Sequence, residues 1–269
     1  MKNTTTESFN SCRITFKSII PLIILLNIAQ SAYSQVTDNP KKSGHFSAAA
    51  SVTNNGISFI PTFSLGKPAA IFDMSAGKKR LSFDPQLRFS LEGKPWSFLF
   101  WWRYKLVKTN KLALTLGAHP ALNFRTETVS ANGINKELTV ARRYAAVELS
   151  PNYWVAKNIS IGLYYLYSHG VDAGTVKNTH FITLNGNFSN IKISKQFFMR
   201  FTPLVYYLKQ DAHEGFYASS TITFSRKNFP LSLSAIFNKT IRSNILGSKN
   251  FVWNVTLTYA FSKKYVEQS

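Results

Sequence analysis

The sequence predicts an all-β protein, a single antiparallel transmembrane β-barrel of about twelve strands, within a range of about ten to fourteen. Three observations predict it. Apolar residues recur with a period of two along most of the chain, each repeat ends at turn residues, and after residue 35 no apolar run approaches the ~20 residues of a spanning helix. A barrel is the other structure that satisfies every backbone polar group in lipid.

The clearest repeat is Phe251–Phe261. Its alternate positions are large and apolar, with mostly polar or small residues between them, which gives a strand one face for lipid and one for a polar lumen. The apolar positions are Phe251, Trp253, Val255, Leu257, Tyr259 and Phe261. Similar alternation occurs at 96–107 and 111–126, so the pattern is general rather than local.

The N-terminus has the features of a secretory signal peptide. Arg13 and Lys17 precede an apolar run at 19–29, and small residues before Gln35 predict cleavage after Ser34. The single cysteine, Cys12, falls in the predicted signal. The exported chain would therefore carry no thiol or disulfide.

Twelve alternating segments follow, and the connections between them alternate between longer and shorter. The segments lie at about 57–65, 69–76, 81–91, 96–107, 111–126, 138–155, 159–171, 179–191, 196–209, 216–225, 230–242 and 251–261. Longer loops are external in bacterial barrels, so the N- and C-termini of the barrel should be periplasmic. The predicted domains are a signal at 1–34, a polar periplasmic lead at 35–44, the barrel at 45–261 and a periplasmic tail at 262–269. Segment 45–53 is a thirteenth candidate, interpreted as a periplasmic or lumen-lying segment or an extension of the first strand.

The charge is strongly basic, with 32 Lys and Arg against 12 Asp and Glu and a formal net charge of +20. An exported protein rarely meets nucleic acid, so anionic membrane surfaces or acidic solutes are the expected partners. The five histidines show no metal-ligand spacing. We expect no metal and no cofactor.

Strand alternation assigns a set of polar residues to the lumen: Asp73, Asp84, Gln86, Arg88, Arg103, Lys105, Arg125, Arg142, Glu148 and Arg200. A four-residue turn at Glu92–Pro95 would place Asp84 opposite Arg103. Two interpretations remain open: structural ion pairs that fill a small barrel, or a basic track that selects anions. Arg143 falls on the lipid face, where it would contact lipopolysaccharide phosphates or water.

Aromatic residues near strand ends predict girdles at the two membrane interfaces. They are Trp96, Trp102, Tyr104, Tyr153, Trp154, Tyr165, Tyr167, Tyr207, Tyr259 and Phe261. Enzymatic motifs are scarce. Ser168 and His169 are the one place where a Ser/His hydrolase could be imagined, and a solvated loop histidine is the favoured interpretation.

With these features, residues 45–261 resemble the outer-membrane β-barrel proteins of Gram-negative bacteria. The resemblance implies that the terminal strand, which ends at Phe261, is recognised by the barrel-assembly machinery, although the tail at 262–269 departs from the usual ending. Twelve-stranded members include narrow solute-specific porins with basic lumens and an outer-membrane phospholipase. The His-x-Ser-Asn type of signature of that phospholipase is absent here.

Three functional hypotheses follow. The first is a narrow passive channel with a net-basic lumen that favours small anionic solutes. The second is a non-conducting structural or assembly-partner barrel plugged by ion pairs, and the third, more distant, is a lipid hydrolase. We expect that this protein is not an enzyme.

Overall fold

A computed structural model describes residues 43–131 and 134–266, which form twelve strands and one short 3₁₀ helix. The strands are β1 (Ser43–Thr53), β2 (Ala69–Lys78), β3 (Leu81–Ser90), β4 (Pro95–Lys108), β5 (Leu112–Ala131), β6 (Ile134–Ala156), β7 (Ile159–Gly170), β8 (Asn178–Lys192), β9 (Phe197–Gln210), β10 (His213–Arg226), β11 (Leu231–Ser243) and β12 (Phe251–Val266). The 3₁₀ helix spans Pro61–Phe63. The predicted signal at 1–34 and lead at 35–44 lie outside the described residues, except for the last two positions of the lead.

The strands close into one antiparallel barrel in which each strand pairs with its neighbours in the chain. The barrel is closed by β1 and β12, whose pairing runs from Ser43 opposite Val266 to Thr53 opposite Thr256. Closure leaves no open sheet edge, as a lipid environment requires. The predicted all-β class, antiparallel barrel and strand count are confirmed.

The outer surface of the barrel is apolar. On β12, every alternate side chain from Phe251 to Phe261 is exposed, with Trp253 at 48% and Leu257 at 45%. Large apolar side chains exposed in this way on all sides match a lipid-facing band, while the intervening residues face inward. Among the residues described, no helix is long and apolar enough to cross a membrane. The molecule has the architecture of an outer-membrane β-barrel.

The prediction of a first strand at 57–65 is wrong. Segment 45–53 belongs to β1 instead, and residues 54–68 form a long connection to β2 that we call the lumen loop. The loop is closed at its base by backbone hydrogen bonds from Gly56 N to Lys67 O (2.7 Å) and from Leu65 N to Gly56 O (2.8 Å). Pro61 has no N–H for a strand ladder, and it begins the 3₁₀ helix.

The barrel also extends beyond its predicted C-terminal boundary. Strand β12 continues to Val266, with Ser262 opposite Ser47. The tail predicted at 262–269 is therefore part of a strand as far as Val266, because β1 supplies backbone partners for these residues. Residues 267–269 lie outside the described part of the chain.

The connections between strands lie at two opposite ends of the barrel. The connections at 54–68, 91–94, 171–177, 211–212 and 244–250 lie at what we call the loop end, which carries the longest connections. The opposite turn end carries the short connections at 79–80, 109–111, 157–158, 193–196 and 227–230. Consecutive connections lie at opposite ends because neighbouring strands are antiparallel. The predicted alternation of longer and shorter connections is not strict, since 211–212 at the loop end is shorter than 193–196 and 227–230 at the turn end.

Candidate functional site: the barrel lumen

A cluster of apolar and aromatic side chains fills part of the lumen. Within it, Leu208, Tyr217 and Tyr206 are only 0%, 1% and 3% exposed, respectively. The other buried members are Trp101, Ala146, Leu166, Phe181 and Ile245. A barrel interior open to water would leave such groups hydrated, so their burial shows a packed region inside the barrel.

The lumen loop contributes directly to this cluster. The Phe59 ring packs edge-on against Tyr206, with centroids 5.6 Å apart, and stacks on Phe181 at 6.5 Å. Phe63 packs edge-on against Tyr144 at 5.0 Å. Aromatic contacts of this geometry stabilise by about 0.5–1.5 kcal/mol each beyond the area they bury.

Hydrogen bonds tie the same loop to other walls of the barrel. Trp96 Nε1 donates to the Phe63 carbonyl at 2.8 Å, and Gln210 Nε2 donates to Thr62 Oγ1 at 3.0 Å. Arg125 Nη1 donates to the Ser64 carbonyl at 3.4 Å. The loop therefore contacts β4, β5, β6, β8 and β9, which lie around most of the lumen.

Trp96 differs from its predicted place in an outward girdle. Trp96 is only 1% exposed, and its indole N–H donates a hydrogen bond to the lumen loop. The physical reason is a register irregularity at the start of β4, where Phe89 pairs with Pro95 while Arg88 pairs with Ser97. The extra residue on β4 interrupts the alternation and turns the indole inward.

A charged network lies along the inner wall of the barrel, on strands β3 to β7. Arg103 is shared by two carboxylates, with Nη1 3.0 Å from Asp84 Oδ2 and Nε 2.6 Å from Glu148 Oε1. The Tyr164 hydroxyl donates to the second oxygen of Glu148 at 2.8 Å. Gly117 leaves room for this carboxylate, since a Cβ there would lie 2.7 Å from Glu148 Oε1.

Hydroxyl groups extend the network toward β1. Ser75 and Ser82 donate to Asp84 at 2.5 and 3.1 Å, and His45 Nε2 lies 3.1 Å from Ser75 Oγ. The Arg103 guanidinium lies over the Trp101 ring, 4.6 Å from its centroid. Contiguous hydrogen bonds thus join β1, β2, β3, β4, β6 and β7 through their inward faces. This chain of contacts can hold the wall of the barrel together across half of its circumference.

The predicted register of β3 and β4 is wrong by two residues, although Asp84 and Arg103 do meet. Asp84 pairs with Trp101, and Arg103 pairs with Ser82. The irregularity beside Phe89 and the turn in which Ser90 N binds Lys94 O at 2.9 Å account for the shift. A shift of two keeps both side chains on the same face, where diagonal neighbours are within reach of long side chains.

A second polar group lies on the wall nearer the loop end. Gln86 donates to Asp73, and Arg88 donates to Gln86. The Arg88 guanidinium also lies 5.1 Å from the Trp96 ring centroid, a cation–π distance. Arg88 is therefore held by the wall and by the residue that supports the lumen loop.

The remaining predicted lumen residues are not joined to these networks. Lys105 and Arg200 occupy inward positions of β4 and β9, and neither has an ion pair within the described ranges. Arg142 Nη2 lies 2.7 Å from Glu127 Oε1, and Arg142 Nη1 donates to the Ala173 carbonyl at 2.7 Å. These contacts place Arg142 at the loop end rather than in the middle of the lumen.

Arg143, predicted on the lipid face, binds a loop carboxylate. Its Nη2 lies 2.5 Å from Asp172 Oδ1, and its backbone N–H donates to Asp172 Oδ2 at 2.6 Å. The hydrogen bonds from the side chain and backbone of Arg143 lower the pKa of Asp172 to about 2. This pair fastens the β7–β8 connection to β6.

No catalytic arrangement emerges at Ser168 and His169. Ser168 is buried and His169 is exposed, because consecutive residues of β7 point to opposite faces. Within 43–131 and 134–266, no group of three or more His, Cys, Asp or Glu could hold a metal ion. Sequence reasoning missed Tyr164, Ser75, His45 and Trp101 as network members, since only the pairing of distant strands brings them together.

Comparison with known proteins gives structural likeness only. Neither a protein-family model nor a curated protein matches the chain. The NanC porin has 11% identity and a TM-score of 0.46, over 83% of this chain and 100% of that one. The KdgM porin, solved with disordered oligogalacturonate, has 10% identity and a TM-score of 0.46, over 81% and 99%. An outer-membrane channel from Pseudomonas putida F1 has 10% identity and a TM-score of 0.44, over 85% and 100%.

Proposed function

We propose that this protein is an outer-membrane barrel whose lumen is closed by the lumen loop, so that its resting state does not conduct. The observation that carries this proposal is that the Phe59 ring packs against Phe181 and Tyr206 inside the barrel. The Asp84–Arg103–Glu148 network supports it, because paired charges fill space that a channel would leave to ions. The role is structural or assembly-related rather than enzymatic.

The proposal includes export and orientation. The signal is cleaved after Ser34, the N- and C-termini of the barrel are periplasmic, and the loop end faces outward. The outward residues of β12, ending at Phe261, serve as the strand that the barrel-assembly machinery recognises. Outer-membrane lipid and lipopolysaccharide are the surrounding partners, and nucleic acid is not one.

A second candidate is a narrow, anion-preferring channel that conducts when the lumen loop moves. Lys105 and Arg200 favour it, since they face inward and lack ion pairs in the described chain. Arg88 and Arg125 would add positive charge nearer the loop end. A track of basic residues along a constricted lumen favours anions over cations.

Planar-bilayer conductance tests the proposal and separates the two candidates. We expect little steady current from the wild-type protein, and a large increase when residues 57–65 are replaced by a short Gly-Ser linker. The reversal potential of that variant in a salt gradient should show anion preference. A wild-type protein that conducts steadily, with a current unchanged by the replacement, would instead support an open channel.

A point variant gives a milder test of the same contact. Phe59→Ala removes the ring that packs against Tyr206 and Phe181, and it should increase the frequency of brief openings. Phe72→Ala is the matched control, because Phe72 is an aromatic residue on β2 whose side chain is 42% exposed on the outer surface. Equal effects of the two substitutions would show that the Phe59 contact does not close the lumen.

A further inference from the structure

We infer that a cavity at the loop end is a binding site for a small organic anion. The cavity has a volume of about 210 Å³ and lies between the lumen loop, the β3–β4 turn and strands β5 and β6. Its polar lining includes Lys67, Ser90, Glu92, Lys94 and Arg125. The site is separate from the charged network in the lumen. Because Leu65 and Lys67 of the lumen loop line it, it rests on the proposed closed position of that loop.

The charges around the cavity favour an anion. Three cationic side chains line it against one carboxylate, and that carboxylate, Glu92, lies 3.7 Å from Lys67 Nζ. Lys94 has no ion pair in the part of the chain that is described. Two positive charges are therefore left over at one small cavity, which raises the local concentration of anions.

Arg125 is the residue best suited to hold the anion. Its guanidinium makes one hydrogen bond within the described residues, the 3.4 Å contact to the Ser64 carbonyl. A guanidinium carries five N–H donors in a planar fork, so most of its donors remain available. The fork matches the two oxygens of a carboxylate in a bidentate contact.

A buried hydroxyl provides an independent sign of a missing partner. Ser90 is 6% exposed, it lines the cavity, and its Oγ has no hydrogen-bond partner among the described groups. An unsatisfied buried polar atom destabilises the fold, and such atoms are uncommon in folded proteins. A carboxylate oxygen in the cavity would accept a hydrogen bond from this hydroxyl.

The rest of the lining indicates the class of anion. Leu65, Pro95 and Phe124 give the cavity apolar surface beside its cationic groups. Inorganic phosphate would leave that surface hydrated, whereas a carboxylate on a small apolar body would cover it. Ligand pockets for drug-sized molecules are usually about 300–1,000 Å³, so this cavity suits a smaller compound.

The test uses the folded full-length protein in detergent, with benzoate as the probe and benzamide as its neutral isostere. Calorimetric titration should show saturable benzoate binding that is at least about tenfold tighter than benzamide binding, since charge-assisted bidentate contacts are worth more than neutral ones. Arg125→Gln should weaken benzoate binding about tenfold or more. Lys94→Gln, in an exposed turn, should weaken it less and should leave the fold unchanged.

Arg143→Gln is the control for general loss of positive charge at the loop end, because Arg143 is already paired with Asp172. It should change benzoate affinity less than about twofold, since exposed and paired charges are well screened. Equal binding of benzoate and benzamide would overturn the inference. So would an Arg125→Gln protein that folds and binds benzoate normally, or inorganic phosphate that binds more tightly than benzoate.

Discussion

The Arg103 network offers the sharpest test of how the lumen is stabilised. Glu148 is 3% exposed and contacts both Arg103 and Tyr164, whereas the Asp84 side chain is 16% exposed and shares Arg103 with it. Glu148→Ala removes the more buried partner and also leaves the Tyr164 hydroxyl without its acceptor. Breaking a buried pair from one side costs about 3–5 kcal/mol when the remaining charge is left unpaired. Because Arg103 keeps Asp84 as a partner, we expect the free energy of unfolding to fall by about 2–4 kcal/mol.

Asp84→Ala should cost less, about 1–2 kcal/mol, because Arg103 keeps its hydrogen bonds to Glu148. The two alanine substitutions Glu148→Ala and Arg103→Ala, made singly and together, measure the coupling directly. We expect the double variant to be more stable than the sum of single effects predicts, by about 2 kcal/mol, since residues in one ion-pair network couple by about 0.5–3 kcal/mol.

The assay is urea unfolding in lipid vesicles, followed by tryptophan fluorescence and by heat-modifiable migration on a gel. Glu214→Ala is a suitable control, because Glu214 also accepts from a tyrosine hydroxyl, at 2.7 Å from Tyr207, but in an exposed position. It should cost clearly less than Glu148→Ala. Strict additivity of Glu148→Ala and Arg103→Ala, within about 0.5 kcal/mol, would refute the network as described.

Two further predictions concern the space around Glu148 and the β7–β8 connection. Gly117→Ala should lower the free energy of unfolding by about 1–3 kcal/mol, because the new methyl group would displace Glu148. Gly44→Ala is the control and should have little effect, since its Cβ would lie 3.5 Å from the nearest atom. Equal effects of the two substitutions would contradict this prediction. Asp172 has its pKa lowered to about 2, so its pairing with Arg143 contributes fully above pH ~4 and is lost as the pH falls through about 2. Pepsin should therefore cut the connection of the wild-type protein much faster at pH 1.5 than at pH 3.5. The ratio of these two rates should be smaller for an Asp172→Asn protein, and equal ratios in the two proteins would contradict the assignment.

The sequence predicted those parts of the fold that depend on local alternation. Strand β12 has a strong apolar stripe, so its outward face could be assigned without knowledge of its neighbours. Segment 57–65 shows the same pattern with Ile57, Phe59, Phe63 and Leu65. Phe59 and Phe63 nevertheless pack against aromatic side chains inside the barrel instead of facing lipid. Whether an apolar residue is covered by lipid or by protein depends on the whole barrel, and a two-residue period carries no information about that choice.

The candidate site was predictable only at the level of faces. Alternation placed Asp84, Arg103 and Glu148 on the inward side, because a register error of two residues leaves the face unchanged. It could not show that Arg103 bridges both carboxylates, since β4 and β6 are brought together only through β5. The prediction that Trp96 lies on the outer face was wrong for a related reason. A local bulge at the start of β4 turns this side chain inward, and nothing in the sequence there indicates the bulge.

The position of the lumen loop is the central claim, and chemical cross-linking in isolated outer membranes tests it most directly. Cysteines replace Thr62 and Gln210, whose side chains lie 3.0 Å apart, in a chain whose Cys12 is changed to serine. A short bis-maleimide should link this pair efficiently. It should not link Thr62→Cys with Lys209→Cys, because Lys209 points to the outer face beside Gln210. Failure of the first pair to cross-link, or equal linking of both pairs, would show that the loop lies outside the lumen.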